Sequence, residues 1–557
     1  MQPNNLKATI HSLCTTWWGL WVIFFTYTVF SALVIQMILP HVMPSIFWAH
    51  GIFVPDSTGF HRIGVRKALE MAQKGWTAWE LRPQLLYPAG ITSIFYYLWK
   101  PEPYAMIPFN AVLHATSGCL VYLLLSSFIR NRLAAACGAG LFVLNPASLE
   151  WTSQIHRDGT YILGNLMMLT GWYLLIKGLI KKRRTYFLYS LLLTIAGSLG
   201  IWASRPYWNQ VAIVACILLF AVIVIYVLIH VKDYHPSWLL TTIVTSCLMI
   251  GIQVPFMFLG AEWNAQSQAA AEKEKLQITK QEKSFETNQI KEKWWITEQE
   301  KLLDTNQIKE ILHHLVALHT YLEEKHQYLF QYKTEENINA VRTVVEKKKV
   351  SQVNLGQLSK EEKKQYLHDL IIWHEGLMEW NKALNEKRNK VLNWQQTSYI
   401  PSFIDNKLYG LWVYRLGTAS AGGNTSIDRY TSLNSFVAVV KYLPRAMQIA
   451  FLSPFPSEWF RQGSTPASTL GKRMIGGMMI IFYTCLLFFI WCLWENRSNL
   501  LFWLITLHST FGLIVFTYVY ANVGTLSRLR YGFYMIIICS GFAFAIEKIM
   551  IRGKTIP

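Results

Sequence analysis

The sequence has little cysteine and little charge, and both shortages restrict the class of protein. Only eight of the 557 residues are cysteines, none of them lies in a long hydrophilic stretch, and no CxxC pair occurs. These features exclude a disulfide framework and a zinc-thiolate site. Charged residues make up 15% of the chain and hydrophobic residues 52%, which excludes a disordered or fibrous protein.

Apolar residues are abundant, and they come in blocks of about 20, the length that crosses a bilayer as a helix. The blocks lie at 17–40, 106–129, 133–149, 159–180, 186–203, 210–231, 238–260, 473–494, 500–520 and 530–548. They predict an all-α polytopic membrane protein with about 10 transmembrane helices. No small-x-small cleavage site follows the first block, so we expect it to remain as the first transmembrane helix.

The positions of lysine and arginine predict the topology. Basic residues lie at 130–132, 181–184, 230–232, 497 and 548–554, and threading the spans alternately puts all of these on one side. By the positive-inside rule that side is the cytoplasm, where both termini are then expected. We attribute the net charge of +19 to such clusters and to a role of basic residues in attracting anionic membrane lipids. Nucleic acid is not an expected partner.

Composition divides the chain into four parts. Residues 1–260 form an N-terminal transmembrane region with an external polar loop at 41–105, and 473–557 form a C-terminal transmembrane region. Residues 261–400 are rich in Glu, Lys and Gln and nearly free of Gly and Pro, which predicts an external, coiled-coil-like helical insertion. Residues 401–472 regain Pro, Gly and aromatic residues, which is typical of an interfacial segment on the membrane surface.

Four histidines of the insertion, His313, His314, His319 and His326, raise the question of a metal site. No two of them are spaced i, i+4 with a carboxylate partner placed as in the helical zinc motifs. We therefore interpret them as solvated side chains on a helix face.

Four polar clusters fall on the predicted external side. They are Asp56 with His61, Arg62 and Arg66; Glu150 with His156, Arg157 and Asp158; Arg205-Pro206; and Asn522 to Arg530, which contains Arg528. A carboxylate near an apolar boundary can act as a general base, and nearby cations can hold a phosphate. Structural explanations exist as well, because an acid suits a helix N-terminus and membrane-edge arginines reach towards headgroups.

In the order and sidedness of these motifs, the chain resembles the GT-C superfamily of polyprenyl-phosphate-dependent membrane glycosyltransferases, which includes protein O-mannosyltransferases and lipid A aminoarabinose transferases. The resemblance covers roughly residues 15–260 and 430–550. It is carried by Asp56 after the first span, Gly75-Trp76, Tyr87-Pro88-Ala89-Gly90, Asp158 opening the fourth helix, Arg205-Pro206, and Asn-x-Gly-Thr-x-x-Arg-x-Arg at 522–530. Ser57 departs from the family, since many members have a second acid or a tyrosine there.

The resemblance implies a GT-C-like helical bundle and an inverting glycosyltransferase at the extracytoplasmic face of a bacterial inner membrane. The donor would be a sugar on a polyprenyl (di)phosphate, and the acceptor a glycan, a lipid or a protein. Asp56 would be the catalytic base, and Asp158 would orient the acceptor or bind a metal. Arg205, Arg528 and Arg530 would neutralise the leaving phosphate.

His61, Arg62, His156 and Arg157 would complete the substrate-binding site that the resemblance implies. No cofactor is assigned, and a divalent cation is left open. The 261–400 insertion has no counterpart in the family and is interpreted as a surface for a protein partner or as a gate for the acceptor.

Three other interpretations fit part of the sequence. An O-antigen-type polymerase or ligase also carries arginines on large external loops and uses lipid-diphosphate donors. A polysaccharide-related transporter or flippase would favour ionisable residues at mid-bilayer and two related halves, neither of which is evident. An assembly scaffold would use the insertion to recruit a partner.

Overall fold

The structure, a computed structural model, describes residues 15–259, 394–420, 425–428, 431–463 and 466–553. Within these ranges the regular elements are helices, accompanied by two isolated β-bridges. Nine of the described helices are long and apolar enough to cross a membrane, which confirms an all-α, multi-pass membrane protein. They are Trp17–Val42, Pro103–Leu125, Asp158–Lys181, Arg184–Ser204, Pro206–Ile229, Pro236–Leu259, Ser468–Glu495, Leu500–Val519 and Tyr531–Arg552.

The predicted span 133–149 is broken and is not one straight helix. It consists of Arg132–Leu144 and Pro146–Thr152, which are bent by 47°. A proline donates no N–H and disfavours helical backbone in the residue before it, and Asn145 accordingly has ψ 121°. The Asn145 side chain then accepts a hydrogen bond from the backbone two residues on, at 3.0 Å. If the bent pair is one span, the described part of the chain holds 10, the number predicted.

The segment 41–105, predicted to be a loop, contains two substantial helices, Pro55–Lys74 and Tyr87–Leu98. We call the first the Asp56 helix. It begins at a proline, whose fixed φ suits the first helical position. It ends at Gly75, which adopts φ 74°, a value that glycine reaches without strain. Asp56 therefore lies in the first turn of an amphipathic helix.

Glycines bring two neighbouring transmembrane helices into close contact. Asp158–Lys181 and Arg184–Ser204 are joined by two residues and run antiparallel, and we call the pair the glycine hairpin. A Cβ atom on Gly197 would lie 2.6 Å from the carbonyl oxygen of Gly164. Because the two helices reverse direction, the first residue of one and the residue after the other, Arg205, lie at the same end of the hairpin.

A short backbone pairing positions the 522–530 motif. Two backbone hydrogen bonds of 2.9 Å join segment 425–428 to segment 521–523. The helix Val523–Leu529 follows directly, and we call it the Arg528 helix. The Asn522 side chain caps it by accepting a hydrogen bond from the Thr525 N–H at 3.1 Å.

The chain divides into two compact units. The first comprises Met1–Gln266, Gly423–Arg429 and Leu443–Pro557. The second comprises Ser267–Gly422 and Tyr430–Tyr442. In the second unit, the described helix Ser402–Ser420 buries Arg415, whose guanidinium lies 5.3 Å from the centre of the Tyr442 ring.

Two predictions about the middle of the chain have different outcomes. Residues 261–393 of the proposed insertion, including its four histidines, lie outside the described residues. The segment 401–472 is largely helical where it is described, with Ser402–Ser420, Phe436–Leu452 and Pro456–Trp459, and the helix Pro466–Glu495 begins inside it. That the segment lies along the membrane surface remains a prediction.

The glycine hairpin gives a test of its close packing. Gly197→Ala places a methyl group against backbone atoms that cannot move aside, so we expect a loss of about 1–3 kcal/mol of stability. Gly200→Ala, three residues on, meets its nearest atom at 3.5 Å and is expected to be neutral or stabilising by about 0.5–1 kcal/mol. Thermal unfolding in detergent measures both, and equal melting temperatures for the two variants would contradict the packing described.

Candidate functional site

Six ionisable side chains from four distant parts of the chain meet in one place, which we call the Asp158 cluster. Each member has a nitrogen or oxygen within 3.9 Å of another member. The members are Asp56, Glu150, His156, Asp158, Arg205 and Arg528. Five of them are among the predicted site residues, and the fold brings these five together.

The centre of the cluster is a buried ion pair. The Asp158 side chain is 0% exposed, and its Oδ1 accepts a hydrogen bond from Arg205 Nη2. The other terminal nitrogen of Arg205, Nη1, donates to the Tyr207 hydroxyl at 2.9 Å. A guanidinium keeps its charge at any accessible pH, so a buried arginine requires a partner of opposite sign. The glycine hairpin supplies that partner by placing both residues at one end.

His156 connects this centre to Arg528. Its Nδ1 lies 3.1 Å from Asp158 Oδ2, and its Nε2 lies 3.0 Å from Arg528 Nη1. Because a guanidinium can only donate, Nε2 is the acceptor in the contact with Arg528, and on the other side of the ring the backbone N–H of Asp158 lies 3.3 Å from Nδ1. The imidazole is buried and therefore has a fixed orientation between the two groups.

The outer part of the cluster is accessible, and we call it the rim. It consists of Asp56, Glu150 and Arg528, whose side chains are 45%, 30% and 21% exposed. Arg528 Nη1 lies 3.0 Å from Glu150 Oε1 and 3.6 Å from Asp56 Oδ2. Burial lowers the pKa of Arg528, but the surrounding carboxylates outweigh burial and raise the pKa above its ordinary value. Arg528 is therefore a permanent cation.

The Asp56 helix is attached to the cluster through Ser57. This side chain is fully buried, and its Oγ donates a hydrogen bond to the Ile155 carbonyl at 2.9 Å. Asp56 Oδ2 is thereby held 3.9 Å from His156 Nε2. Ser57 thus fixes the position of the acid beside it.

Sequence reasoning missed two tyrosines and assigned no role to Glu150. The Tyr207 hydroxyl lies 3.0 Å from the Tyr520 hydroxyl, so the pair joins the turn after the glycine hairpin to the segment before the Arg528 helix. Tyr207 lies in the same turn as Arg205, which was the available signal. For Tyr520, the available signal in the sequence was its proximity to the 522–530 motif.

Three predicted substrate-binding residues take no part in the cluster's contacts. His61 Nδ1 lies 2.7 Å from the Tyr96 hydroxyl, and its ring centre lies 4.8 Å from that of His50; burial and this second histidine lower the pKa of His61. Arg62 is exposed and forms no ion pair with a residue that the structure describes. Arg157 is half-buried, and its Nε has no hydrogen-bond partner in the described part of the chain.

Arg530, predicted to neutralise a phosphate, has other partners. Its buried guanidinium donates to the carbonyl oxygens of Ile449 and Ala450 at 2.9 and 2.8 Å and to both oxygens of Ser453. These groups lie at the end of the helix Phe436–Leu452, whose last carbonyls lack partners within the helix. Arg530 is thus a helix cap, although it lies only two residues from Arg528.

The cluster does not fit a divalent cation. Among the described residues, no group of three or more His, Cys, Asp or Glu is arranged to hold a metal ion. Within the cluster the carboxylates are already paired with guanidinium groups, since Arg205 binds Asp158 while Arg528 contacts both Asp56 and Glu150. The positive charge of this site is supplied by arginine.

Comparisons of the chain with models of protein families, with curated proteins and with solved structures found no match. We infer its function from the geometry of the cluster.

The buried ion pair predicts an asymmetry between single and double substitutions. Asp158→Asn leaves Arg205 charged and buried without its counter-ion, which we expect to cost about 3–5 kcal/mol. The double variant Asp158→Leu with Arg205→Met removes both charges and should recover most of that loss. Thermal unfolding measures the three proteins, and additive losses in the double variant would contradict the pairing.

The helix cap predicts that Arg530 contributes to stability. Arg530→Gln removes the guanidinium that donates to the carbonyl groups of Ala450 and Ser453, so we expect a loss of about 2–3 kcal/mol, the penalty for buried unpaired polar groups. Arg62→Gln is the matched control, because its side chain is exposed. Equal unfolding temperatures for the two variants would show that the cap contributes nothing.

Proposed function

We propose that the chain is an inverting, GT-C-like glycosyltransferase. It moves a sugar from a polyprenyl (di)phosphate to a hydroxyl group of a glycan, lipid or protein. One observation supports this above all. The residues that the resemblance assigns as base, second acid and phosphate ligands, namely Asp56, Asp158, Arg205 and Arg528, come from four distant segments and converge in one cluster.

Asp56 is the catalytic base in this proposal. It is the most exposed acid of the cluster, so an acceptor hydroxyl can reach it. Its distances to Arg528 and His156, 3.6 and 3.9 Å, exceed hydrogen-bond length, so the carboxylate keeps the capacity to accept a proton.

Arg528 is the residue that receives the leaving phosphate. It lies on the rim beside Asp56, and its forked donors suit phosphate oxygens. A cation fixed beforehand at the place where negative charge develops is the most effective electrostatic contribution to catalysis. Asp158 and Arg205 are too deeply buried to contact substrate and act as positioning residues, holding His156 and through it Arg528.

The proposed reaction balances with these groups alone. The acceptor hydroxyl gives its proton to Asp56 while its oxygen forms a bond to the anomeric carbon. The bond from that carbon to the phosphate oxygen breaks, and its electron pair stays on the phosphate beside Arg528. Attack opposite the leaving group inverts the anomeric configuration.

We place this site at the extracytoplasmic face of a bacterial inner membrane. The glycine hairpin has Asp158 and Arg205 at one end and the basic residues 181–184 at the other. The positive-inside rule assigns the basic end to the cytoplasm, which puts the cluster on the opposite side. Donors held in the bilayer by a polyprenyl chain would present their phosphate at that boundary.

Transfer of labelled sugar from extracted polyprenyl-linked donors tests the proposal. We expect Asp56→Asn to reduce the rate by at least about 100-fold, the contribution of a general base, with little change in unfolding temperature. Glu70→Gln is the matched control, an acid-to-amide change on the Asp56 helix. Lys67, its partner at 2.9 Å, also pairs with Glu80 at 2.8 Å and so stays neutralised.

Full activity in Asp56→Asn would remove this residue from the mechanism and reject the proposed base. Formation of long repeating products from lipid-linked oligosaccharides would favour the polymerase interpretation over single-sugar transfer.

A further inference from the structure

Only one of the cluster's two guanidinium groups is available to a ligand. Arg205 is buried and bonded to Asp158 and Tyr207. Arg528 reaches the rim, but its Nη1 already contacts carboxylates of Glu150 and Asp56. A phosphate that binds through Nη1 must take the place of one of these carboxylates.

The charges of the cluster also indicate that a carboxylate must leave Arg528 before a phosphate binds to its Nη1. Three carboxylates, those of Asp56, Glu150 and Asp158, lie in the cluster beside the two guanidinium groups, and two of them contact Arg528. A phosphate approaching Arg528 is repelled by the acids beside it. Affinity therefore depends on which carboxylate withdraws.

Glu150 is the acid best suited to withdraw. Asp158 is buried against Arg205, and Asp56 is held through its neighbour Ser57 and does not reach hydrogen-bond distance of Arg528. Glu150 forms the shorter of the two carboxylate contacts with Arg528, at 3.0 Å, and it lies on a four-residue helix, Leu149–Thr152. Its side chain is partly exposed, so rotating away into solvent leaves no buried charge.

We propose that Glu150 is an internal substitute for the donor phosphate. Its carboxylate occupies Arg528 when no donor is bound, keeps the guanidinium oriented, and is displaced by the phosphate of the polyprenyl donor. This inference rests on the proposed function for the identity of the ligand. It adds that Glu150 competes with the donor and does not help to bind it.

Binding of farnesyl phosphate, a short polyprenyl phosphate, to the purified full chain tests the inference by equilibrium dialysis. Glu150→Gln keeps the size of the side chain and removes its charge. We expect it to bind about two- to fivefold more tightly than the wild type, the effect of removing one partly exposed competing ion pair. Glu150→Asp, which keeps the charge on a shorter side chain, should fall between them.

The gain must depend on Arg528. In Arg528→Gln binding should weaken, and adding Glu150→Gln to it should give no further gain, because the competition no longer exists. Glu70→Gln should bind as the wild type does.

Inorganic phosphate in the dialysis distinguishes the two sources of the anion. Equal competition by free phosphate assigns the site to the phosphate alone, whereas weak competition shows that the lipid chain contributes.

Unchanged or weaker binding by a folded Glu150→Gln protein overturns the inference and makes Glu150 a residue that supports the donor site. Absence of binding by every variant overturns it as well. The outcome is separate from that of the transferase proposal. Binding can respond to Glu150 as expected while no sugar is transferred, and sugar can be transferred at a rate that Glu150 does not affect.

Discussion

The ion pair between Asp158 and Arg205 is the constraint on which the rest of the site depends. Two opposite charges buried at the end of a helical hairpin must stay together, because either one alone would be strongly destabilising. Asp158 orients His156, and His156 in turn contacts Arg528. The position of the accessible side chains at the rim thus depends on an ion pair that is buried, and the close packing of glycine against backbone holds the two helices of that pair together.

Much of the architecture could be predicted because it follows from local physics. Apolar blocks of bilayer length predicted the spans, and the break at Asn145 could have been inferred from Pro146, since the effect of proline on backbone geometry is local. The helices within 41–105 were harder to predict, because polar and aromatic residues alternate there without a long apolar block. Their helical form depends on terminal signals such as Pro55 and Gly75.

The members of the candidate site could be predicted better than their roles. Asp56, His156, Asp158, Arg205 and Arg528 were singled out as polar residues beside apolar spans, and they do meet. Burial decides what each can do, and burial depends on contacts between residues hundreds of positions apart. Arg528 and Arg530 look equivalent in sequence, yet one reaches the rim and the other caps a helix. Nothing local distinguishes them.

The tyrosine pair has a consequence for how the site tolerates change. From Arg205, one route of contacts leads through Asp158 and His156 to Arg528, and another leads through the hydroxyls of Tyr207 and Tyr520 to the segment that precedes Arg528. Together with the backbone between Tyr520 and Arg528, the two routes form a closed circuit. If the contacts of one route break, the other route still connects Arg205 to Arg528. The Arg528 side chain can therefore change its partners while its own backbone stays anchored.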